Sequence, residues 1–140
     1  MNILVTGSRR FSNEQMMAEA LRGFDRVNDF LIHGGAPGAD KLAHLVWRKL
    51  GFVNDPDVVR PEYDYWVNKI GAPQGYKVAP TKRNGLMVEG RRTEEGPVIP
   101  FLVPDLVLAF YITPTPSGGT WDCHQKALAA GLDVIEYYDL

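Results

Sequence analysis

Short continuous runs of apolar residues alternate along this chain with longer segments whose apolar residues recur at helical spacing. The runs lie in NILVTGSRRF at 2–11, DFLIHGG at 29–35, PDLVLAFYI at 104–112 and DVIEYY at 133–138, with a shorter one in DVVRPEY at 57–63. Continuous rather than alternating apolar runs are typical of parallel strands that are buried on both faces. The pattern therefore predicts five strands with helices between them.

Two helical segments have recognisable ends. NEQMMAEALRGF at 13–24 follows an N-cap at Asn13 or Ser12, and ADKLAHLVWRKLG at 39–51 stops at its final glycine. The apolar side chains predicted to face the core are Met16, Met17, Ala20, Leu21 and Phe24 in the first helix and Leu42, Leu45, Val46 and Leu50 in the second.

The second half of the chain has weaker periodicity. A short helix is predicted around TKRNGLMVEG at 81–90, and another over residues 121–130. Residues 89–100 are expected to form a mobile loop, because EGRRTEEGP has no apolar period.

Strands that alternate with helices indicate an α/β fold. Right-handed crossovers would build a doubly wound, Rossmann-like and mostly parallel sheet of about five strands, with helices on both faces. At 140 residues the chain fits one domain, and residues 1–140 show no internal repeat. In such sheets ligands bind beyond the carboxyl ends of the strands, near the point where the strand order reverses.

Composition excludes several classes of function. The net charge of −2 gives no sign of a nucleic-acid or acidic-membrane partner. Cys123 is the only cysteine and the three histidines lack metal-ligand spacing, so we expect neither a disulfide nor a metal, and no cofactor is required. The sequence shows no signal peptide and no apolar stretch of membrane length, and a cytoplasmic protein is expected.

Three glycine-containing turns follow predicted strands and lead toward helices: TGSRRF, HGGAPGAD and TPSGGTWD. Helix N-termini expose unpaired N–H groups and partial positive charge, and glycine lets the backbone approach a phosphate closely. Neither GxGxxG nor GxxxxGK[ST] occurs in the chain. The turns, together with a polar pair in KRNGLM, predict a site for a phosphate-bearing ligand. Its candidate residues are Gly7, Ser8, Arg9, Gly34, Gly35, Ala36, Gly38, Asp40, Arg83, Asn84, Ser117, Gly118, Gly119 and Thr120.

The same segments carry a family resemblance. ILVTGSRRF, HGGAPGADKLA, TKRNGLM and PDLVLAF…SGGTWDCHQKALAAGLDVIEY occur in the order found in the SLOG superfamily. Within it the chain resembles the YspA-like branch of small bacterial and phage proteins, from Asn2 to Tyr137. The resemblance implies a single SLOG-like domain with a nucleotide-type ligand at the sheet edge, either ADP-ribose or NAD-related, or a nucleoside monophosphate.

Three activities are open under this resemblance. The leading hypothesis is a sensor or sequestering module for a nucleotide. The first alternative is a phosphoribohydrolase of the LOG type, which cleaves the N-glycosidic bond of nucleoside monophosphates. LOG enzymes resemble PGGxGTxxE, but Cys123 occupies the position of that glutamate here, and only Asp40 and Asp122 are weak catalytic candidates. The second alternative is DprA-like binding of single-stranded DNA, which the acidic composition disfavours.

The resemblance also implies a homo-oligomer, a dimer or a tetramer, that assembles through the helices flanking the sheet. The segment LVWRKLGF supplies apolar residues for such a contact, Trp47 among them. We expect no membrane partner, and we expect nucleic acid to be an improbable one.

Overall fold

The computed structural model describes residues 1–90 and 103–140. In these residues one parallel sheet has five strands in the order β3-β2-β1-β4-β5. The strands are β1 (Asn2–Gly7), β2 (Phe30–His33), β3 (Asp57–Val58), β4 (Leu106–Tyr111) and β5 (Asp133–Tyr138). This order confirms the prediction of a doubly wound α/β fold, with the first strand at the centre of the sheet.

Helices cover both faces of the sheet. They are α1 (Glu14–Leu21), α2 (Ala39–Lys49), α3 (Tyr63–Ile70), α4 (Gln74–Glu89) and α5 (Gly118–Ala129). Asn13 caps α1 as predicted, because its side chain accepts a 3.0 Å hydrogen bond from the amide of Met16. None of the described helices is long and apolar enough to cross a membrane.

Successive residues of the central strands point to two separate cores. Ile3 and Val5 of β1 pack with residues of α1 and α2, among them Met17 and Trp47. Leu4 instead belongs to the core on the other face, to which α4 and α5 contribute; the residues of those helices are Leu86, Met87, Val88, Cys123 and Ala127. This alternation explains why the strands are apolar throughout: both faces are covered.

The inward face of α2 differs from the predicted one. Leu45 is 47% exposed, whereas Trp47 is fully buried and stacks on Phe52 with a ring separation of 3.6 Å. The indole Nε1 of Trp47 donates a 2.8 Å hydrogen bond to the carbonyl of Asn54. The proposal that Trp47 supplies an oligomer contact is therefore wrong, because the side chain is used inside the domain.

The region after β3 holds more helix than the sequence predicted. α3 was not predicted at all, and α4 begins seven residues before the predicted start at residue 81 and contains Pro80 in its interior. Proline and glycine in this segment concealed the pattern, because both are usually absent from helix interiors. Of the predicted mobile loop at 89–100, Glu89 ends α4, and residues 91–100 lie outside the described residues.

Candidate functional site

A cavity of about 470 Å³ lies where β1 and β4 end side by side. From this point the chain continues into α1 on one face of the sheet after β1, and into α5 on the other face after β4. Such a switch point leaves a crevice between the two connections. The lining residues are Thr6, Gly7, Ser8, Arg9, Ala36, Asp40, Lys77, Pro80, Thr81, Arg83, Asn84, Met87, Tyr111, Ile112, Thr113, Ser117, Gly119 and Thr120.

The first glycine turn is held rigidly against its neighbours by Ser8. The Ser8 amide donates a 2.9 Å hydrogen bond to the carbonyl of Phe110, at the end of β4. The Ser8 carbonyl accepts from the amides of Phe11 and Ala39, both at 3.1 Å. One residue therefore ties the turn to β4 and to the start of α2, and this fixes the cavity wall on that side.

The third glycine turn presents the N-terminus of α5 to the cavity. Ser117 is the N-cap residue, and within the described part of the chain its side chain makes no capping hydrogen bond. The first amides of a helix have no partner inside the helix and carry partial positive charge. Because Ser117, Gly119 and Thr120 line the cavity, this helix end is suited to receive an anion there.

The second glycine turn is arranged differently, because the protein's own side chains engage its amides. Asp40 Oδ2 accepts hydrogen bonds from the amides of Gly34 at 3.0 Å and Ala36 at 3.3 Å. The amide of Gly35 donates to His33 Nδ1 at 2.9 Å. The carboxylate of Asp40 thus accepts the amide hydrogen bonds at this turn that were predicted to bind a phosphate.

The glycines of the second turn are required by packing. A Cβ on Gly34 would overlap the guanidinium of Arg83, and one on Gly38, whose φ is +78°, would overlap the carbonyl of Ser8. From this turn only Ala36 and Asp40 line the switch-point cavity. All three turns therefore reach the cavity, but the second contributes only these two residues, and its predicted glycines Gly34, Gly35 and Gly38 lie outside the lining.

Arg83 and Asn84 lie in the cavity wall as predicted, but both are also buried structural ties. Arg83 Nη1 donates to the carbonyl of Gly34 at 2.6 Å, and its Nε donates to Asn84 Oδ1 at 3.1 Å. Asn84 Nδ2 in turn donates to the carbonyl of Gly119 at 3.2 Å and to Asp122. The pair connects the second turn, α4 and the beginning of α5, and it fixes the relative position of three cavity walls.

The two carboxylate candidates occupy unlike positions. Asp40 lines the cavity and is 5% exposed, and burial raises its pKa to about 6. Asp122 lies outside the described cavity wall, where its Oδ2 accepts from Lys126 Nζ at 2.8 Å. Among the described residues of this wall, Asp40 is the carboxylate that could act on a bound ligand.

Tyr111 is a cavity residue that the sequence analysis did not single out. Its hydroxyl lies 2.6 Å from His124 Nδ1, and His124 Nε2 lies 3.4 Å from Glu136 Oε1. Burial raises the pKa of Tyr111, so its phenol stays protonated while it shares this hydrogen bond with the imidazole. The position of Tyr111 at the end of an apolar strand was the signal that could have identified it.

The described residues include no group of three or more His, Cys, Asp or Glu side chains that could hold a metal ion.

No family model matches this chain, and no curated protein matches it. A solved structure does: the chain is similar to the X-ray structure of DNA processing protein A (DprA) from Streptococcus pneumoniae, with 16% identity and a TM-score of 0.62. The match covers 96% of this chain and 49% of that one, so this chain spans about half the length of its structural neighbour. The likeness concerns the fold alone, which is a Rossmann-like α/β fold.

Proposed function

We propose that the protein binds a nucleotide-type ligand in the switch-point cavity, with a phosphate group at the N-terminus of α5. The observation that carries this proposal is the uncapped start of α5, which faces the turn of Ser8 and Arg9 across one cavity. Amide donors on one side and a guanidinium on the other form a donor set that suits phosphate. The resemblance to the YspA-like branch of the SLOG superfamily, which includes proposed sensors of nucleotide-derived signals, supports a role in sensing or sequestering the ligand.

Gly119→Asp tests the phosphate position. A Cβ at Gly119 meets no heavy atom of the described residues within 4 Å, and Gly119 lines the cavity. A carboxylate in the first turn of a helix stabilises the helix, but here it would repel a phosphate. We expect the variant to keep its thermal stability and to bind AMP and ADP-ribose at least tenfold more weakly in calorimetry, as the loss of a charge-assisted contact implies.

Gly23→Asp is the matched control. It adds the same charge at an exposed glycine that has open space around its Cβ and is not among the residues that line the cavity. Equal affinities of the two variants for every ligand, or no binding of any nucleotide to the parent protein at millimolar concentration, would contradict the proposal.

A phosphoribohydrolase is the second candidate function, and the position of Asp40 favours it. A buried carboxyl with a pKa near neutrality is suited to proton transfer at a glycosidic bond. Asp40→Asn keeps an oxygen that can accept from the amides of Gly34 and Ala36 but loses the titratable proton. Chromatography should show free base released from nucleoside monophosphates by the parent protein and none by the variant. Retained nucleotide binding without any free base would leave the sensor as the function.

A further inference from the structure

Two more cavities continue the switch-point cavity along the sheet edge, past the second turn. The middle cavity, about 290 Å³, shares Arg9, Ala36 and Arg83 with the switch-point cavity. The outer cavity, about 300 Å³, shares Gly35 and Arg60 with the middle one. The three concave spaces therefore adjoin in a row along the carboxyl edge of the sheet, from β4 past β1 and β2 to β3.

The middle and outer cavities are positively charged although the protein as a whole is acidic. The chain has 17 acidic and 15 basic residues. The described residues that line these two cavities nevertheless include five cations and no carboxylate. The cations are Arg9, Lys41, Arg48, Arg60 and Arg83. A concave surface lined by one sign of charge raises the local concentration of ligands of the opposite sign.

Arg60 is the central cation of this surface. It lines both cavities, and its Nη1 lies 3.0 Å from the position that a Cβ on Gly35 would take. Arg83, by contrast, already donates a hydrogen bond to the carbonyl of Gly34. Arg48 lies 3.5 Å from Asp55, but both side chains are mostly exposed, which leaves that ion pair weak.

Two histidines form the floor of the outer cavity. His33 Nε2 and His44 Nδ1 lie 2.7 Å apart, and because His33 Nδ1 accepts a hydrogen bond from the Gly35 amide, Nε2 carries the ring proton and donates the hydrogen bond to His44. Burial, His44, Arg60 and Arg83 together lower the pKa of His33 to about 3, and burial and Arg48 lower that of His44. Both rings are therefore neutral at neutral pH, and the charge of the outer cavity comes from Lys41 and the two arginines.

An aromatic ring lines the middle cavity, between the switch-point cavity and the outer cavity. Tyr63 lines the middle cavity and is 38% exposed. Exposed aromatic faces stack on nucleobases without regard to their identity.

We propose that the outer cavity is a second phosphate site, held by Lys41 and Arg60, for a ligand whose two phosphates are separated by a nucleoside that lies against Tyr63. This inference rests on the proposed function, since the first phosphate occupies the switch-point cavity. The two phosphates of a pyrophosphate share an oxygen and would remain together in that first cavity. A linear dinucleotide with a 5′-phosphate, or a short single strand, has two phosphates separated by a nucleoside, as this arrangement requires.

The test compares AMP with the dinucleotide pApA in calorimetry at low salt, on the parent protein and on Arg60→Gln. We expect pApA to bind about tenfold more tightly than AMP, and the variant to lose that gain while it binds AMP unchanged. The gain should decrease as salt is raised. Arg22→Gln is the matched control, because it removes an exposed arginine that lines none of these three cavities.

Each outcome is decisive. If AMP binds and pApA gains nothing, or if Arg60→Gln leaves the gain intact, the second site is overturned while the proposed function stands. If neither probe binds, both fail. If pApA does bind more tightly than AMP, a series of oligo(dA) ligands of increasing length distinguishes the two kinds of ligand. Affinity that keeps rising beyond two nucleotides indicates a single strand, and affinity that stays constant beyond two nucleotides indicates a free dinucleotide.

Discussion

Two features of the Asp40 environment act in opposite directions on the ionisation of its carboxyl group. Its carboxylate accepts hydrogen bonds from two amides of the second turn, which favours the ionised form, but its burial favours the neutral form more strongly, and the pKa rises to about 6. The sequence placed this residue correctly at the start of α2 and as a possible ligand contact. It could not show the hydrogen bonds to Gly34 and Ala36, because they depend on how the turn folds back over the helix.

The raised pKa of Asp40 predicts a pH dependence of stability. The unfolded chain releases this proton near pH 3.8 and the folded protein near pH 6, so the folded state binds more protons between these values. The contribution of Asp40 to the free energy of unfolding therefore falls as pH rises through this interval, by about 3 kcal/mol at about 1.4 kcal/mol per pKa unit. Urea unfolding of the parent protein and Asp40→Asn at pH 4 and pH 7 measures it.

Comparison of the parent protein with Asp40→Asn isolates the contribution of Asp40 to the pH dependence of the free energy of unfolding. His33 acts in the opposite direction: its lowered pKa makes the folded protein lose stability as pH falls from about 6.5 toward about 3. Both proteins contain His33, so its effect cancels in the difference. We expect Asp40→Asn to gain stability relative to the parent as pH rises, and parallel pH profiles would contradict the assignment.

At the scale of elements, the junction of the second turn with α2 depends on one close approach. Gly38 has a φ of +78°, and a Cβ there would overlap the backbone of Ser8 and Arg9. The same carbonyl of Ser8 accepts the amide of Ala39, the first residue of α2. The first and second turns are therefore packed directly against each other at this glycine.

Gly38→Ala should destabilise the protein far more than Gly51→Ala. Gly51 also has a positive φ, +85°, but among the described residues nothing lies within 4 Å of its Cβ position. Gly51→Ala carries only the backbone strain, about 1–2 kcal/mol, and Gly38→Ala adds a backbone overlap that requires the two turns to separate. Thermal unfolding of both variants measures the difference, and equal losses would show that the close approach contributes nothing.

Elements with strong apolar patterns were predictable, and those whose packing depends on distant residues were not. β1, β2 and β4 were clear because most of their residues are buried, and β5 was clear from its apolar run although three of its six residues are exposed at the edge of the sheet. α4 was only half found, because Pro80 and two glycines interrupt its pattern and its buried face includes the polar Arg83 and Asn84. Those two side chains are tolerated there because each is hydrogen-bonded, which no local pattern reveals.

At the scale of the whole molecule, strand order determines where a ligand can bind. The doubly wound order was predicted from the sequence, and with it the location of a crevice at the carboxyl edge. The adjoining basic cavities were not predicted, because Arg60 and Lys41 come from different parts of the chain and meet only in the fold.

The homo-oligomer expected from the family resemblance stays a prediction. Light scattering would measure the molecular mass in solution, and any contact between subunits would have to use residues other than the buried Trp47.

The single thiol of the chain gives this molecule a built-in reporter. Cys123 is fully buried in the core beneath the switch-point cavity, beside Thr6 of the cavity wall, and its pKa is raised to about 12 by burial. A disulfide reagent reaches such a sulfur only when the core that α4 and α5 cover opens. The rate of modification of the native protein therefore measures how often this core opens, and a nucleotide that engages the first turn of α5 should slow the reaction without any engineered label.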